Sequence, residues 1–190
     1  MGKKAVKIML KALVLIGGSS SRMGSDKFLM DINGKPQYLH LYHMISDLGI
    51  PTFISCTTDQ TNKIRKDIPL LIDEFKSIGP IGGLATAIKH DPDTDWLVVA
   101  CDLINLQPTT IQEVIGQNKG KGIVTFQKKE SAFPETTITI YCTDVFETVE
   151  NAVSQGKNSL QGILKSSNVH KIVPTSPSHL KNANTRADLH

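Results

Sequence analysis

The sequence predicts an α/β fold: a doubly wound, mostly parallel sheet with helices on both faces, in one domain over residues 1–190. Three observations predict it. Short apolar runs alternate with longer segments of helical pattern, the order that crossover helices impose on parallel strands. The most hydrophobic run, Trp96-Leu97-Val98-Val99-Ala100-Cys101, does not alternate with polar residues, as expected of a central strand covered on both faces. The first apolar run passes directly into a loop of glycines and serines that ends in Asp26-Lys27.

Taken in order, residues 11–16 read as the first strand. A helix over 37–48 starts just after Pro36, where a proline is tolerated at a helix entrance. The second strand is expected at 52–56, a polar helix near 59–66, and a short third strand at 69–72. Gly79-Pro80-Ile81-Gly82-Gly83 turns the chain into a helix that ends at His90. The central strand, 96–101, precedes a helix at 108–117 and a strand at 122–127. Residues 136–141 are rich in threonine and isoleucine and read as a further strand. Helices follow at 144–154 and 160–165, then a short strand at 171–173 and a polar tail. There is no internal repeat, linker or low-complexity tract.

Composition narrows the class. A chain of 190 residues, 39% hydrophobic and 21% charged, suits one globular core. The formal net charge is +3, with a pI near 8.7, but the lysines are scattered. That distribution gives no case for nucleic-acid binding and fits a small anionic substrate. Cys56, Cys101 and Cys142 form neither a C-x-x-C pair nor a zinc spacing, so they read as small buried side chains in a reducing compartment. The apolar stretch near the N-terminus is interrupted by Lys7 and Lys11 and lacks a small-residue cleavage site. No segment is long and apolar enough to span a membrane, so the expected location is the cytoplasm, with no membrane partner.

The loop after the first strand carries the chemistry. In Leu13-Val14-Leu15-Ile16-Gly17-Gly18-Ser19-Ser20-Ser21-Arg22-Met23-Gly24-Ser25-Asp26-Lys27, three glycines allow backbone N–H groups to converge on an anion. Arg22 adds a planar fork and Lys27 a point charge, the pair a polyphosphate needs. The spacing matches neither a P-loop nor a dinucleotide fingerprint. Ligands of open α/β sheets bind beyond the carboxyl ends of the strands. Three other features fall there: Asp73, the Gly79 turn, and Asp102 after the central strand. Asp102 reads either as a turn aspartate or as the ligand of Mg²⁺, whose shell phosphates and waters would complete; the glycine loop upstream favours the metal. Asp73 is either a nucleoside contact or a turn cap.

These residues resemble the molybdenum cofactor guanylyltransferases, members of the nucleotidyltransferase superfamily with its Rossmann-like doubly wound sheet. The family loop reads Leu-Ala-Gly-Gly-x-Ser-x-Arg-Met-Gly-x-Asp-Lys, and residues 15–27 follow it with Ile16 in place of the alanine. Asn33-Gly34-Lys35-Pro36, Asp73 with Gly79-Pro80-Ile81-Gly82-Gly83-Leu84, Cys101-Asp102, and Asn182-Ala183-Asn184-Thr185 resemble further family segments in the same order. The family's Cys-Asp-x-Pro stands here as Cys101-Asp102-Leu103-Ile104, without the proline. An asparagine common after the second strand is replaced by Thr57, and Thr185-Arg186-Ala187-Asp188 departs from Thr-Pro-Glu.

The resemblance implies transfer of GMP from GTP to the molybdopterin-bound molybdenum cofactor, with release of pyrophosphate. It implies that Leu15, Ile16, Gly17, Gly18, Ser19, Asp73 and Gly79 line the nucleotide, and that Arg22 and Lys27 hold its phosphates. Asp102 would bind Mg²⁺ and, with Arg22 and Lys27, form the catalytic set. Asn182 and Asn184 would face the pterin, and Lys157, just before a helix, the acceptor phosphate. GTP, molybdopterin, and molybdoenzymes or other cofactor-biosynthesis proteins are the implied partners. Competing readings are a related enzyme using CTP or another acceptor, and an inactive nucleotide-binding homologue. His40 and His43 sit three apart on a helix but lack a third ligand. Lys128-Lys129-Glu130 reads as a solvated turn near the acceptor side, while Pro134 and Thr137 lie where the family has acceptor contacts.

Overall fold

A computed structural model of the chain describes residues 9–17, 27–32, 34–75 and 78–182. The apolar runs pair into a seven-stranded sheet. Its strands are β1 (Leu10–Leu15), β4 (Thr52–Cys56), β5 (Leu70–Ile72), β6 (Asp95–Ala100), β7 (Ile123–Phe126), β8 (Ile138–Tyr141) and β9 (Val169–Ile172). A separate two-stranded ribbon joins β2 (Asp31–Ile32) to β3 (Lys35–Pro36). The helices are α1 (Gln37–Ser46), α2 (Pro80–His90), α3 (Pro108–Gly116), α4 (Phe146–Ser154) and α5 (Leu160–Ser166).

The sheet order is β5-β4-β1-β6-β8-β7-β9, which puts the most hydrophobic run at its middle. β1 and β6 run in parallel register from Leu10↔Asp95 to Leu15↔Ala100. Alternation of side chains sends Ala12, Val14, Leu97 and Val99 into one core, with Leu41 and Ile45 of α1 and Ile111 and Val114 of α3. Leu13, Leu15, Trp96 and Val98 enter the other, against Ile81, Leu84 and Ile88 of α2 and Val149 of α4. Past Lys11 and Asp95 both strands are therefore apolar, because both faces lose water; each large side chain so buried contributes about 1.5–3 kcal/mol.

The chain steps outward from β1 to β4 and β5, then returns to β6 on the other side of β1. That reversal opens a crevice between the carboxyl ends of β1 and β6, the place where such sheets bind ligands.

Several expectations shift. The helix expected at 59–66 is a 3-10 turn, Thr58–Lys63, with no buried side chain. Threonine, aspartate and asparagine are poor helix formers, and without an apolar stripe nothing offsets the cost of a longer helix. The helix expected at 144–154 begins at Phe146, after a 3-10 turn (Thr143–Val145). Its Asp144 accepts from the Gly122 N–H at 2.7 Å. The last strand starts two residues earlier than expected, because Val169 pairs with Ile123 and packs on the second core. β8 runs antiparallel to both neighbours, as the mostly parallel prediction allows.

Candidate active site

Two adjoining clefts meet over the end of β1. One, of about 310 Å³, is lined by Leu15, Ile16, Gly17, Lys27, Asp102 and Thr137 among others. The second, of about 750 Å³, is lined by Gly17, Ser55, Thr57, Asp73, Gly79 and Asn158 among others. Leu15, Gly17 and Pro80 border both.

Asp102 reaches the first cleft because the β1–β6 ladder continues one rung past the strand, where the Cys101 N–H donates to the Leu15 carbonyl at 3.0 Å. The turn then closes with Leu103 N–H on the Ala100 carbonyl at 3.3 Å. Without the family's proline, side chains hold this turn. The Gln37 amide Nε2, on buried Gln37, donates to the Leu103 carbonyl at 3.0 Å, and Leu103 pairs with Asn182. Leu103 itself is fully buried. These contacts replace the stiffness that the missing ring would supply.

The half-buried Asp102 carries a buried Oδ1 with no hydrogen-bond partner among the described residues. Burial pushes its carboxyl up, the Lys27 ammonium pulls it down, and Glu135 pushes it up again. A buried carboxylate oxygen left without a donor is costly, and a cation satisfies it. The residues thus fit a divalent ion of the magnesium type, which takes one or two carboxylates and completes its shell with phosphate oxygens and water. Among the described residues no cluster of three or more His, Cys, Asp and Glu side chains could hold a metal by itself. His40 and His43 line a different cleft, beside Lys35 and Asn105.

Lys27 begins a 3-10 turn (Lys27–Leu29) anchored by buried Phe28, whose ring meets Tyr38 edge-on at 5.9 Å.

In the second cleft, Asp73 follows β5 and donates its N–H to the Cys56 carbonyl at 2.8 Å. The Ser55 hydroxyl donates to its Oδ1 at 2.6 Å, while Oδ2 lies on the Gly17 side, 3.8 Å from where a Cβ on that glycine would stand. Burial raises the Asp73 carboxyl, and the Ser55 bond opposes that rise. The Glu74 N–H donates to the Thr86 hydroxyl at 3.1 Å, tying this segment to α2. The first turn of α2 enters between the clefts. Gly79 takes φ +72°, open to glycine. Gly83 lets the helix touch the sheet, since a Cβ there would stand 2.7 Å from Leu15 Cδ2 and closer still to Ser55 Oγ.

The fold therefore brings Leu15, Ile16, Gly17, Lys27, Asp73, Gly79 and Asp102 to one crevice. Gly18, Ser19, Arg22 and Asn184 lie outside the described residues. Asn182 stands beside the Asp102 turn, with its Oδ1 buried and without a hydrogen-bond partner among the described residues. Lys157 is exposed and lines neither cleft; its neighbour Asn158 does. Ser159 caps α5, its Oγ accepting from the Gly162 N–H at 3.3 Å. Sequence reasoning missed Ser55 and Asn158, and it set Thr57 aside. Lys128, expected in a solvated turn, is instead only 24% exposed and bound to Glu135.

The family model described as the MobA-like NTP transferase domain matches residues 12–172. The chain is 29% identical over 181 residues to a molybdenum cofactor biosynthesis bifunctional protein of Synechocystis sp., covering 94% of this chain and 52% of that protein. It thus spans about half the length of that relative. A molybdenum cofactor guanylyltransferase of Serratia proteamaculans is 27% identical over 184 residues, covering 94% of this chain and 91% of that one. In fold, the crystal structure of molybdopterin-guanine dinucleotide biosynthesis protein A from Archaeoglobus fulgidus superposes with a TM-score of 0.77 at 22% identity, over 94% of each chain. Among the described residues no helix is long and apolar enough to cross a membrane.

Proposed function

The chain belongs to the family of MobA-like NTP transferase domains, and from that premise we propose that it transfers GMP from GTP to the molybdopterin-bound molybdenum cofactor. The observation that carries the reading is the meeting of two clefts at Gly17, one holding Lys27 and Asp102 and the other Asp73 and Ser55. The nucleoside occupies the Asp73 side. The triphosphate crosses Gly17 toward Lys27. The acceptor enters beside Asp102 and Asn182, and the cytoplasm is the compartment that suits three free buried cysteines.

The reaction forms a bond between a terminal phosphate oxygen of the acceptor and the α-phosphorus of GTP. The bond from that phosphorus to the bridging oxygen breaks, and pyrophosphate leaves with its electron pair. No side-chain nucleophile is required; positioning and charge supply the rate. Lys27 and Arg22 hold the β- and γ-phosphates and receive their growing charge. Asp102 is the residue that would hold a magnesium ion, which supplies charge neutralisation at the α-phosphate when bound. Asp73, steadied by Ser55, fixes the nucleoside.

The guanine assignment draws on the Gly17-Gly18 loop and on the names of the relatives. Pyrophosphate release is measured with each nucleoside triphosphate and molybdopterin. The reading expects turnover with GTP and incorporation of labelled GMP; strict use of CTP overturns it.

A further inference from the structure

Asp102 has an acidic neighbour that the proposed reaction does not use. β6 and β8 pair antiparallel at Val99↔Ile138, and the Ala100 N–H donates to the Thr137 carbonyl at 2.7 Å. Two residues further along each chain come Asp102 and Glu135, and the charge of Glu135 acts on Asp102. The Glu135 backbone is fixed on both sides. Its N–H donates to the Phe126 carbonyl at 2.7 Å, and its carbonyl accepts from the Thr125 hydroxyl at 2.7 Å.

The Glu135 carboxylate, 18% exposed, lies 3.2 Å from the Lys128 ammonium, which also donates to the Leu180 carbonyl at 3.2 Å. Leu180 stands two residues before Asn182, the partner of Leu103. Lys128 thus sits where the β7–β8 connection, the Asp102 turn and the C-terminal segment converge. A lysine has three donors, and the third has no protein partner among the described residues. A largely buried ion pair is weak evidence of a stabilising role by itself.

The strand order fixes the layout. β6 lies between β1 on one side and β8 and β7 on the other. Asp102 therefore lies between Lys27, which lines the cleft over the end of β1, and the connection after β7 that carries Lys128. We propose that Lys128 receives the terminal phosphate of the acceptor, and that Glu135 holds the ammonium in place until that phosphate displaces the carboxylate. This rests on the guanylyl-transfer reading and adds to it a second anion subsite across Asp102 from the triphosphate.

The test uses the full chain with the α,β-methylene analogue of GTP and Mg²⁺ at saturation, so that the first anion site is filled. Inorganic phosphate is then titrated by calorimetry into the wild type, Lys128→Met, Lys128→Arg and Glu135→Gln. Phosphate affinity is expected to fall about tenfold or more in Lys128→Met, an ionic hydrogen bond's worth. It should stay within about threefold in Lys128→Arg, which keeps the charge. In Glu135→Gln it should rise, because the competing carboxylate is gone; a tie that served only structure would not tighten phosphate binding. With molybdopterin as acceptor, Lys128→Met should raise the acceptor KM and leave the GTP KM unchanged. Equal phosphate affinity in the wild type and Lys128→Met, or looser binding in Glu135→Gln, overturns the proposal. The isotherm of the nucleotide analogue, measured first and without phosphate, tests the GTP reading separately, and the phosphate titrations across the four proteins test Lys128.

Discussion

Gly83 is where a single methyl group should couple stability to nucleotide affinity. It lies in the first turn of α2, against the ends of β1 and β4. A Cβ built there stands 2.7 Å from Leu15 Cδ2 and 3.3 Å from Ser55 Cβ, where relaxed carbon contacts need about 3.5–4.0 Å. Overpacking of this kind costs about 1–3 kcal/mol. Alanine's better helix propensity returns about 0.8–1 kcal/mol. The net loss for Gly83→Ala is about 1 kcal/mol, or about 2–4 °C in Tm for a chain of this size. The same methyl displaces Ser55 from its 2.6 Å bond to Asp73. A hydrogen bond worth about 0.5–1.5 kcal/mol corresponds to about 2- to 12-fold in GTP affinity. Gly116, the last residue of α3, is the control, because among the described residues nothing lies within 4 Å of its Cβ position. Gly116→Ala should leave GTP affinity alone and hold or raise Tm. Thermal unfolding and GTP titration calorimetry on both variants decide the matter. The reasoning is refuted if Gly83→Ala melts at or above the wild type, or melts lower with GTP affinity untouched.

Asp102→Asn should lower turnover by about 100- to 1,000-fold, the usual cost of losing one preorganised electrostatic group. It should also stabilise the ligand-free protein at neutral pH. Burial raises the folded carboxyl of Asp102, so its contribution to stability is whole below the unfolded value of about 3.9 and lost as pH rises through the folded value. Asparagine removes that loss, and the Tm gap between variant and wild type should close as the solution is acidified from about pH 7.5 to about pH 4; a gap that does not depend on pH contradicts this account of the buried oxygen. Ser55→Ala should push the Asp73 carboxyl up further, since the serine bond opposes the effect of burial. GTP affinity should then fall away at a higher pH on acidification than in the wild type, and superimposable pH profiles would refute the role given to Ser55.

The apolar runs were legible because both faces of β1 and β6 are buried, which leaves an unbroken hydrophobic word in the sequence. Asp102 and Gly17 were legible for a related reason: each follows such a run, and strand ends at a switch point form ligand sites. Ser55 and Asn158 were not, because a serine in a strand or an asparagine in a loop carries no spacing that marks it as a contact. The Lys128–Glu135 pair was hidden by strand pairing. The two stand seven positions apart in sequence, and only the antiparallel β8, which has no short turn to announce it, folds them together beside Asp102. The polar stretch 58–63 misled because its length suited a helix while its composition gave that helix nothing to bury.

The claim on which the account stands is that one nucleotide spans both clefts, with its metal on Asp102. A crystal of the protein grown with the α,β-methylene analogue of GTP and Mn²⁺ tests it directly through the anomalous signal of the metal. The expected result is a peak about 2.0–2.3 Å from Asp102 Oδ1, in the range of hard-cation oxygen ligands, with guanine against Asp73 and the β- and γ-phosphates at Lys27. A manganese peak away from Asp102, or a base lodged on the Asp102 side of Gly17, would contradict it.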